Sequence, residues 1–242
     1  MNNGKTAASV IVLSLMVFSR PPVKAEEKPW RDELEMSVVD TGGNTKTLEI
    51  SGKNKFNYSW TKSTLELNGG GLYSEEHEKK TTEEYFANEK VTRTLVQGNY
   101  VYEKAGWDRG RLSGINDRTN FSGGLGRTFL DLPKDKLVGE FGIGYIDEEY
   151  TDLSTNKFAA GRAYAKYAHP FTAMASFSQD VEYLSNLSNG NDYLVNTETA
   201  VRSSLSTHLS LRASYTWKHN NKPGPGFGQN DAITGLALVV NY

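Results

Sequence analysis

The 242-residue chain has no cysteine, four histidines and seven prolines. The missing cysteine excludes a disulfide framework, a thiolate metal site and a cysteine nucleophile. The histidines (His77, His169, His208 and His219) are scattered, with no HxH or HxxxH spacing. That spacing offers no metal site, and no cofactor is expected. Neither charge sign dominates, with 27 basic against 29 acidic residues. A dedicated nucleic-acid binder usually carries a basic excess, so no nucleic-acid partner is expected. After residue 26 no run of 18 residues is continuously apolar, which excludes a bundle of membrane helices. The mean hydropathy of -0.56 agrees with that exclusion and reaches no further.

The first 25 residues read as a secretory signal peptide. Lys5 supplies a positive start, Ala7 to Phe18 an apolar run interrupted by two serines, and Val23-Lys24-Ala25 a cleavage site. Twelve residues of helix span roughly 18 Å, short of a hydrocarbon core of about 30 Å. Cleavage after Ala25 removes Lys5, Arg20 and Lys24 and no acid. It leaves 24 basic against 29 acidic residues, a net charge of -5. Residues 26–242 then form one exported domain. An exported chain without cysteine suits the periplasm or outer membrane of a Gram-negative bacterium.

What the body contains is alternation. Leu48, Ile50, Phe56 and Tyr58 interleave with Glu49, Ser51, Lys53 and Lys55. Leu137, Phe141, Ile143 and Tyr145 interleave with Val138, Glu140, Gly142 and Gly144. Phe171 to Tyr183 and Leu209 to Trp217 repeat the pattern. Successive side chains of a strand point to opposite faces, so each segment has one apolar and one polar face. These segments exceed the usual strand of about 5 to 6 residues and match the roughly 9 to 11 of a membrane-crossing strand.

Twelve strands are expected, near 33–41, 45–58, 61–74, 79–89, 92–105, 116–130, 136–149, 155–168, 171–185, 191–204, 207–219 and 229–242. Short separators, such as Asp131 to Asp135 around Pro133 and Ala168-His169-Pro170, alternate with longer polar ones. The longer ones are Ser74 to Lys79, Ala105 to Ile115, Glu149 to Asn156, Asn186 to Asn191 and Asn220 to Gln229. Tight periplasmic turns and longer outer loops mark an all-β, transmembrane, antiparallel up-and-down β-barrel. Aromatic residues near strand ends, among them Trp30, Trp60, Tyr167, Tyr183, Tyr193 and Trp217, suit interfacial girdles. In the last strand Leu236, Leu238, Val240 and the aromatic Tyr242 share one face. That pattern is expected to act as the signal to the outer-membrane barrel-insertion machinery.

Several segments together resemble the salt-induced outer-membrane protein family, a set of barrels of unknown function. They are Asp40 to Thr45, Phe121-Ser122-Gly123-Gly124-Leu125-Gly126, Gly139 to Tyr145, His208 to Arg212, and Lys222 to Phe227 with Asp231. The resemblance implies an outer-membrane barrel and carries over no activity and no catalytic residue.

The polar strand faces place charge in the lumen: Glu49, Lys53, Lys55, Glu66, Glu140, Arg162, Lys166, Asp180, Glu182, Glu198, Arg202 and Arg212. Arg162 with Asp180, and Glu198 with Arg202 and Arg212, are expected pairs on neighbouring strands. Eight strands leave a lumen filled by side chains and sixteen an aqueous channel, so about twelve lie between. Charges pairing across the lumen fill it; otherwise they line a narrow polar channel. The principal reading is an envelope or osmotic-adaptation barrel or narrow channel, with outer-membrane lipid and lipopolysaccharide as surroundings. No enzyme is expected. The rivals are an outer-leaflet lipid-modifying enzyme using His77 or His219 beside Ser74 and Glu76, and a soluble periplasmic ligand-binding β-domain. The acidic edge Asp147, Glu148, Glu149 and Asp152 reads as a solvated loop, with divalent-cation binding as its alternative.

Overall fold

The computed structural model describes residues 28–41, 47–77, 79–110 and 114–242. The expected signal segment and the tip of the first hairpin lie outside the described residues. Among the described residues there are twelve strands. β1 is Trp30–Thr41, β2 Thr47–Ser59, β3 Ser63–Glu76 and β4 Lys79–Thr94. β5 is Asn99–Gly110, β6 Ile115–Asp131, β7 Lys136–Tyr150 and β8 Thr155–Pro170. β9 is Ala175–Asn186, β10 Tyr193–Ser204, β11 Leu209–Asn220 and β12 Asn230–Asn241. Each pairs antiparallel with its sequence neighbours, and β12 closes on β1 to complete the barrel.

Closure converts alternation into an inside and an outside. Phe141 and Ile143 on β7 are 72% and 70% exposed, whereas Glu140 between its neighbours is 1% exposed. Leu125, Leu236 and Val38 also point outward, while Ser122, Val239 and Ser37 are buried. The interior is polar over most of its height, with one apolar cluster of Ile146, Phe158, Ala160 and Leu194. Outside, aromatics gather at both ends. Tyr58 meets Trp60 at 4.6 Å between ring centroids, and Phe177 lies 6.5 Å from Tyr167 and 6.3 Å from Phe171 at the turn end. At the loop end Tyr193 lies 5.8 Å from Tyr183 and 5.6 Å from His219, which stacks on Trp217.

The strands depart from the expected boundaries in three places. The expected break near residue 90 is absent: β4 runs on to Thr94, and the turn falls at residues 95–98. There Gln97 and Gly98 take positive φ of 45° and 78°, and Leu95 N–H donates to Asn99 O at 2.8 Å. The turn before β9 falls at residues 171–174 rather than 168–170. The Thr172 hydroxyl accepts from the N–H groups of Met174 and Ala175 at 3.1 and 3.0 Å, fixing the bend after Pro170. The expected loops Ser74 to Lys79 and Ala105 to Ile115 are mostly strand. Polar side chains on both faces read as loop, yet the ladder continues through pairs such as Glu75 with Lys80 and Trp107 with Thr119.

The turn between β6 and β7 shows how the turn end is braced. Leu132 N–H donates to Asp135 O at 2.9 Å. The Asp135 carboxylate accepts from the Tyr167 hydroxyl at 2.6 Å and lies 3.0 Å from His169 Nδ1. Those two partners, the Tyr167 hydrogen bond first, hold the Asp135 carboxyl below the usual carboxylate range. A carboxyl whose folded pKa is depressed stabilises the fold above its unfolded value and loses that contribution as pH falls through the folded value. The Asp135 side-chain carbon followed by NMR should therefore titrate below an ordinary aspartate. Tyr167→Phe should move the midpoint upward; an unchanged midpoint would remove this brace from the account.

Candidate functional site

The site is the lumen. Its centre is Arg162 on β8, whose side chain is 2% exposed. Its Nη1 donates to Glu140 Oε2 on β7 at 2.8 Å, and its Nε to Glu182 Oε1 on β9 at 2.7 Å. From the far wall, Lys90 on β4 reaches Glu140, and Lys104 on β5 reaches Glu182 at 2.6 Å. The Tyr100 hydroxyl also donates to Glu140, at 2.8 Å. The Tyr102 and Tyr164 rings flank the guanidinium, with centroids 4.9 and 5.1 Å away. This is cation–π geometry. Three cations and two carboxylates thus interlock across the barrel.

Glycine makes room for this layer. A Cβ on Gly142 would lie 2.2 Å from the Tyr102 hydroxyl and 2.5 Å from the Gly123 carbonyl oxygen. The bare backbone lets Tyr102 lie across β7 and press on Arg162.

A second set of pairs occupies the opposite wall. Arg212 on β11 binds Glu198 on β10 at 2.5 Å and Glu35 on β1 at 3.2 Å. Lys53 on β2 lies 3.9 Å from Glu198. Arg202 binds Glu33 at 2.7 Å, and Lys55 binds Glu66 at 2.8 Å, nearer the turn end. Towards the loop end Lys218 on β11 crosses the lumen to Glu84 on β4 at 2.5 Å. Arg118 binds Glu148 at 2.7 Å and lies 3.4 Å from Asp108.

Loopward of the Arg162 layer lies a cavity of about 410 Å³, whose walls carry Lys218, Glu84, Arg118 and Asp108. It fills the loop-end half of the lumen. Its deepest lining residues are Glu35, Lys53, Lys104, Glu182, Glu198 and Arg212. Glu66, Lys90, Glu140, Arg162, Lys166, Asp180 and Arg202 lie turnward of it and line no part of it. The cavity therefore ends on a floor of ion pairs. Its side walls add the apolar Leu72, Phe86, Leu184, Leu194 and Ile233.

Two expected pairings are corrected. Arg162 does not pair with Asp180, because the β8–β9 register sets Lys166 opposite Asp180 and Arg162 opposite Leu184. Arg162 instead reaches the diagonal Glu182. Arg202 does not pair with Glu198; it faces Arg212 across β10–β11 and turns to Glu33 and Glu35 on β1. Of the expected lumen residues, Glu49, Lys53, Glu182, Glu198 and Arg212 line the cavity. Lys90 falls just past the expected end of the fourth strand at residue 89, whereas Tyr100, Tyr102 and Lys104 lie within the expected fifth strand, 92–105, without being among the expected lumen residues. Continuing their alternation through Thr94 and from Asn99 places all four inward.

The histidines and loop acids do not converge. His77 Nδ1 lies 3.7 Å from Glu76, and the Ser74 hydroxyl accepts from Thr81. His219 Nδ1 lies 2.8 Å from Asn230 Oδ1. Asp147 binds Lys157 at 2.7 Å, Asp152 accepts from Ser154, and Glu148 turns inward to Arg118.

A closed, even-stranded barrel with an apolar exterior, aromatic ends and a charged lumen is an outer-membrane-type barrel. Solved barrels bear out the fold. The translocator domain of the autotransporter NalP from Neisseria meningitidis superposes with a TM-score of 0.50 at 14% identity, covering 90% of each chain. The NanC porin superposes with a TM-score of 0.52 at 7% identity, covering 87% of this chain and 97% of the porin. Residues 34–242 match the family described as Protein of unknown function, DUF481, and the chain belongs to it. A curated relative, Uncharacterized protein YdiY of Escherichia coli (strain K12), is 25% identical over 226 residues, covering 93% of this chain and 88% of the relative.

Removing one partner of a buried ion pair strands the other charge and costs about 3–5 kcal/mol. Arg162→Ala leaves Glu140, whose side chain is 0% exposed, with Lys90 and Tyr100 alone, and Glu182 with Lys104 alone. Urea unfolding of the refolded barrel, read by heat-modifiable gel migration, should show a loss of that size. Arg31→Ala serves as the control, since Arg31 is 64% exposed in its pair with Glu33. Equal, small losses for both would contradict the central role of Arg162.

Proposed function

We propose that the protein is a narrow polar channel of the outer membrane, its conductance limited by the ion-pair floor. The observation that carries this reading is the loop-end cavity ending on Lys104–Glu182 and Arg212–Glu198. The loops face outward, and the short turns with the start of β1 and the end of β12 face the periplasm, as in other barrels of this class. The apolar belt and girdles sit in outer-membrane lipid beside lipopolysaccharide. The outward face of β12, with Leu236, Leu238, Val240 and Tyr242, addresses the barrel-insertion machinery. The resemblance to salt-induced barrels adds a role in envelope or osmotic adaptation. Buried pairs are screened by salt far less than exposed ones, so the floor stays in place as ionic strength changes.

Planar-bilayer recording tests the reading. The wild-type barrel should pass small, ohmic currents, far below those of an open porin. Arg212→Ala/Glu198→Ala removes a cation and an anion together from the floor, and should raise single-channel conductance several-fold. A wild-type barrel with open-porin currents, or a double variant that conducts no better, would contradict it.

A further inference from the structure

The barrel is closed unevenly. Every other strand pair holds a ladder of eleven to fifteen register positions, but β1 and β12 pair over four. Those four are Glu33, Leu34, Glu35 and Met36 with Asn241, Val240, Val239 and Leu238. Below them Tyr242 N–H donates to Asp32 O at 2.9 Å and seals the turn end. Among the described residues the ladder stops above Met36 and Leu238, although β1 continues to pair with β2 and β12 with β11.

The gap lies at the height of the apolar belt. Val38 and Leu236 flank it on the outside and are 62% and 58% exposed. On the inside Ser37, Ile233, Gly235 and Ala237 flank it, and all four line the cavity. Lipid-exposed strand edges do not persist within hydrocarbon, since their N–H and C=O groups find no partner there. Something must therefore occupy the seam in the bilayer.

The lining indicates what. From Ile233 to Val239 the lumen face of β12 carries no charge. Immediately behind it the floor presents two acids and two bases, Glu35 and Glu198 with Lys53 and Arg212. An uncharged entrance leading to a floor of both signs matches a hydrocarbon chain followed by a zwitterionic head. Ester or hydroxyl groups next to such a head would meet the unpaired backbone groups. The cavity volume falls within the range of about 300–1,000 Å³ common to small-molecule sites. A second copy pairing along this edge would satisfy the backbone groups but would leave the cavity and its charged floor without an occupant.

We propose that the β1–β12 seam is a lateral portal through which a single-chain, zwitterionic amphiphile passes from the surrounding leaflet into the lumen cavity. This does not rest on the conductance of the floor, and either reading can fail alone.

The absence of native cysteine makes the test clean. Continuing the register sets Ser37 opposite Ala237, so Ser37→Cys/Ala237→Cys closes the seam on oxidation and reopens it on reduction. A second variant, Ala237→Phe, fills the inner mouth without a cross-link. Each barrel is refolded into phosphatidylcholine vesicles containing lysophosphatidylcholine, extracted, and weighed by native mass spectrometry. Wild type and the reduced double variant should retain one lysophosphatidylcholine per barrel. Oxidation, and separately Ala237→Phe, should lower retention by about tenfold, equivalent to about 1.4 kcal/mol. No retention by wild type, or equal retention in all forms, would overturn the portal. A dimer of barrels that oxidation dissolves would also overturn it, assigning the seam to a second copy.

Discussion

The structure is organised around a buried arginine. Arg162 sits where water is almost excluded, and a lone guanidinium there would be prohibitively costly. Two carboxylates, Glu140 and Glu182, make its position tenable. They in turn demand Lys90 and Lys104 from the far wall. Each charge is tolerated because its neighbours satisfy it, so the layer stands as a unit. The barrel wall follows from that demand. Gly142 has no side chain so that Tyr102 can cross it, and Tyr102 lies against the guanidinium face.

The same layer divides the lumen. A barrel of this strand number could be filled or open, and this one is both at different heights. Ion pairs fill the middle, and a cavity remains towards the loops. Charge inside and hydrocarbon outside reconcile a low mean hydropathy with a membrane-crossing chain. Half of every strand is hidden from lipid, so the average over the sequence conceals the outward face.

Much of the fold was legible in the sequence, because period-two alternation survives wherever one face meets lipid and the other the lumen. The β2, β7 and β11 segments show it residue by residue. Legibility failed where both faces are polar. Ser74 to Glu76 and Ala105 to Gly110 read as loops, yet their backbones stay paired above the belt. The turn at Gln97-Gly98 falls beyond the break expected near residue 90, because Val91 and Arg93 continue the ladder of β4. The lumen residues were legible as a set, but their partners were not. Pairing depends on register and on reach across the barrel, and Lys90 with Glu140 or Lys218 with Glu84 join strands far apart in the chain. The short β1–β12 ladder leaves no mark in the sequence.

The central claim is that the ion-pair floor separates two lumen compartments. Single-cysteine accessibility tests it most directly. Ser51 lines the cavity, whereas Thr64 lies turnward of Glu66 on β3 and lines no part of the cavity. A membrane-impermeant thiol reagent added to the loop side of oriented vesicles should modify Ser51→Cys rapidly and leave Thr64→Cys unmodified. Equal rates at the two positions would show a continuous open lumen and contradict the account.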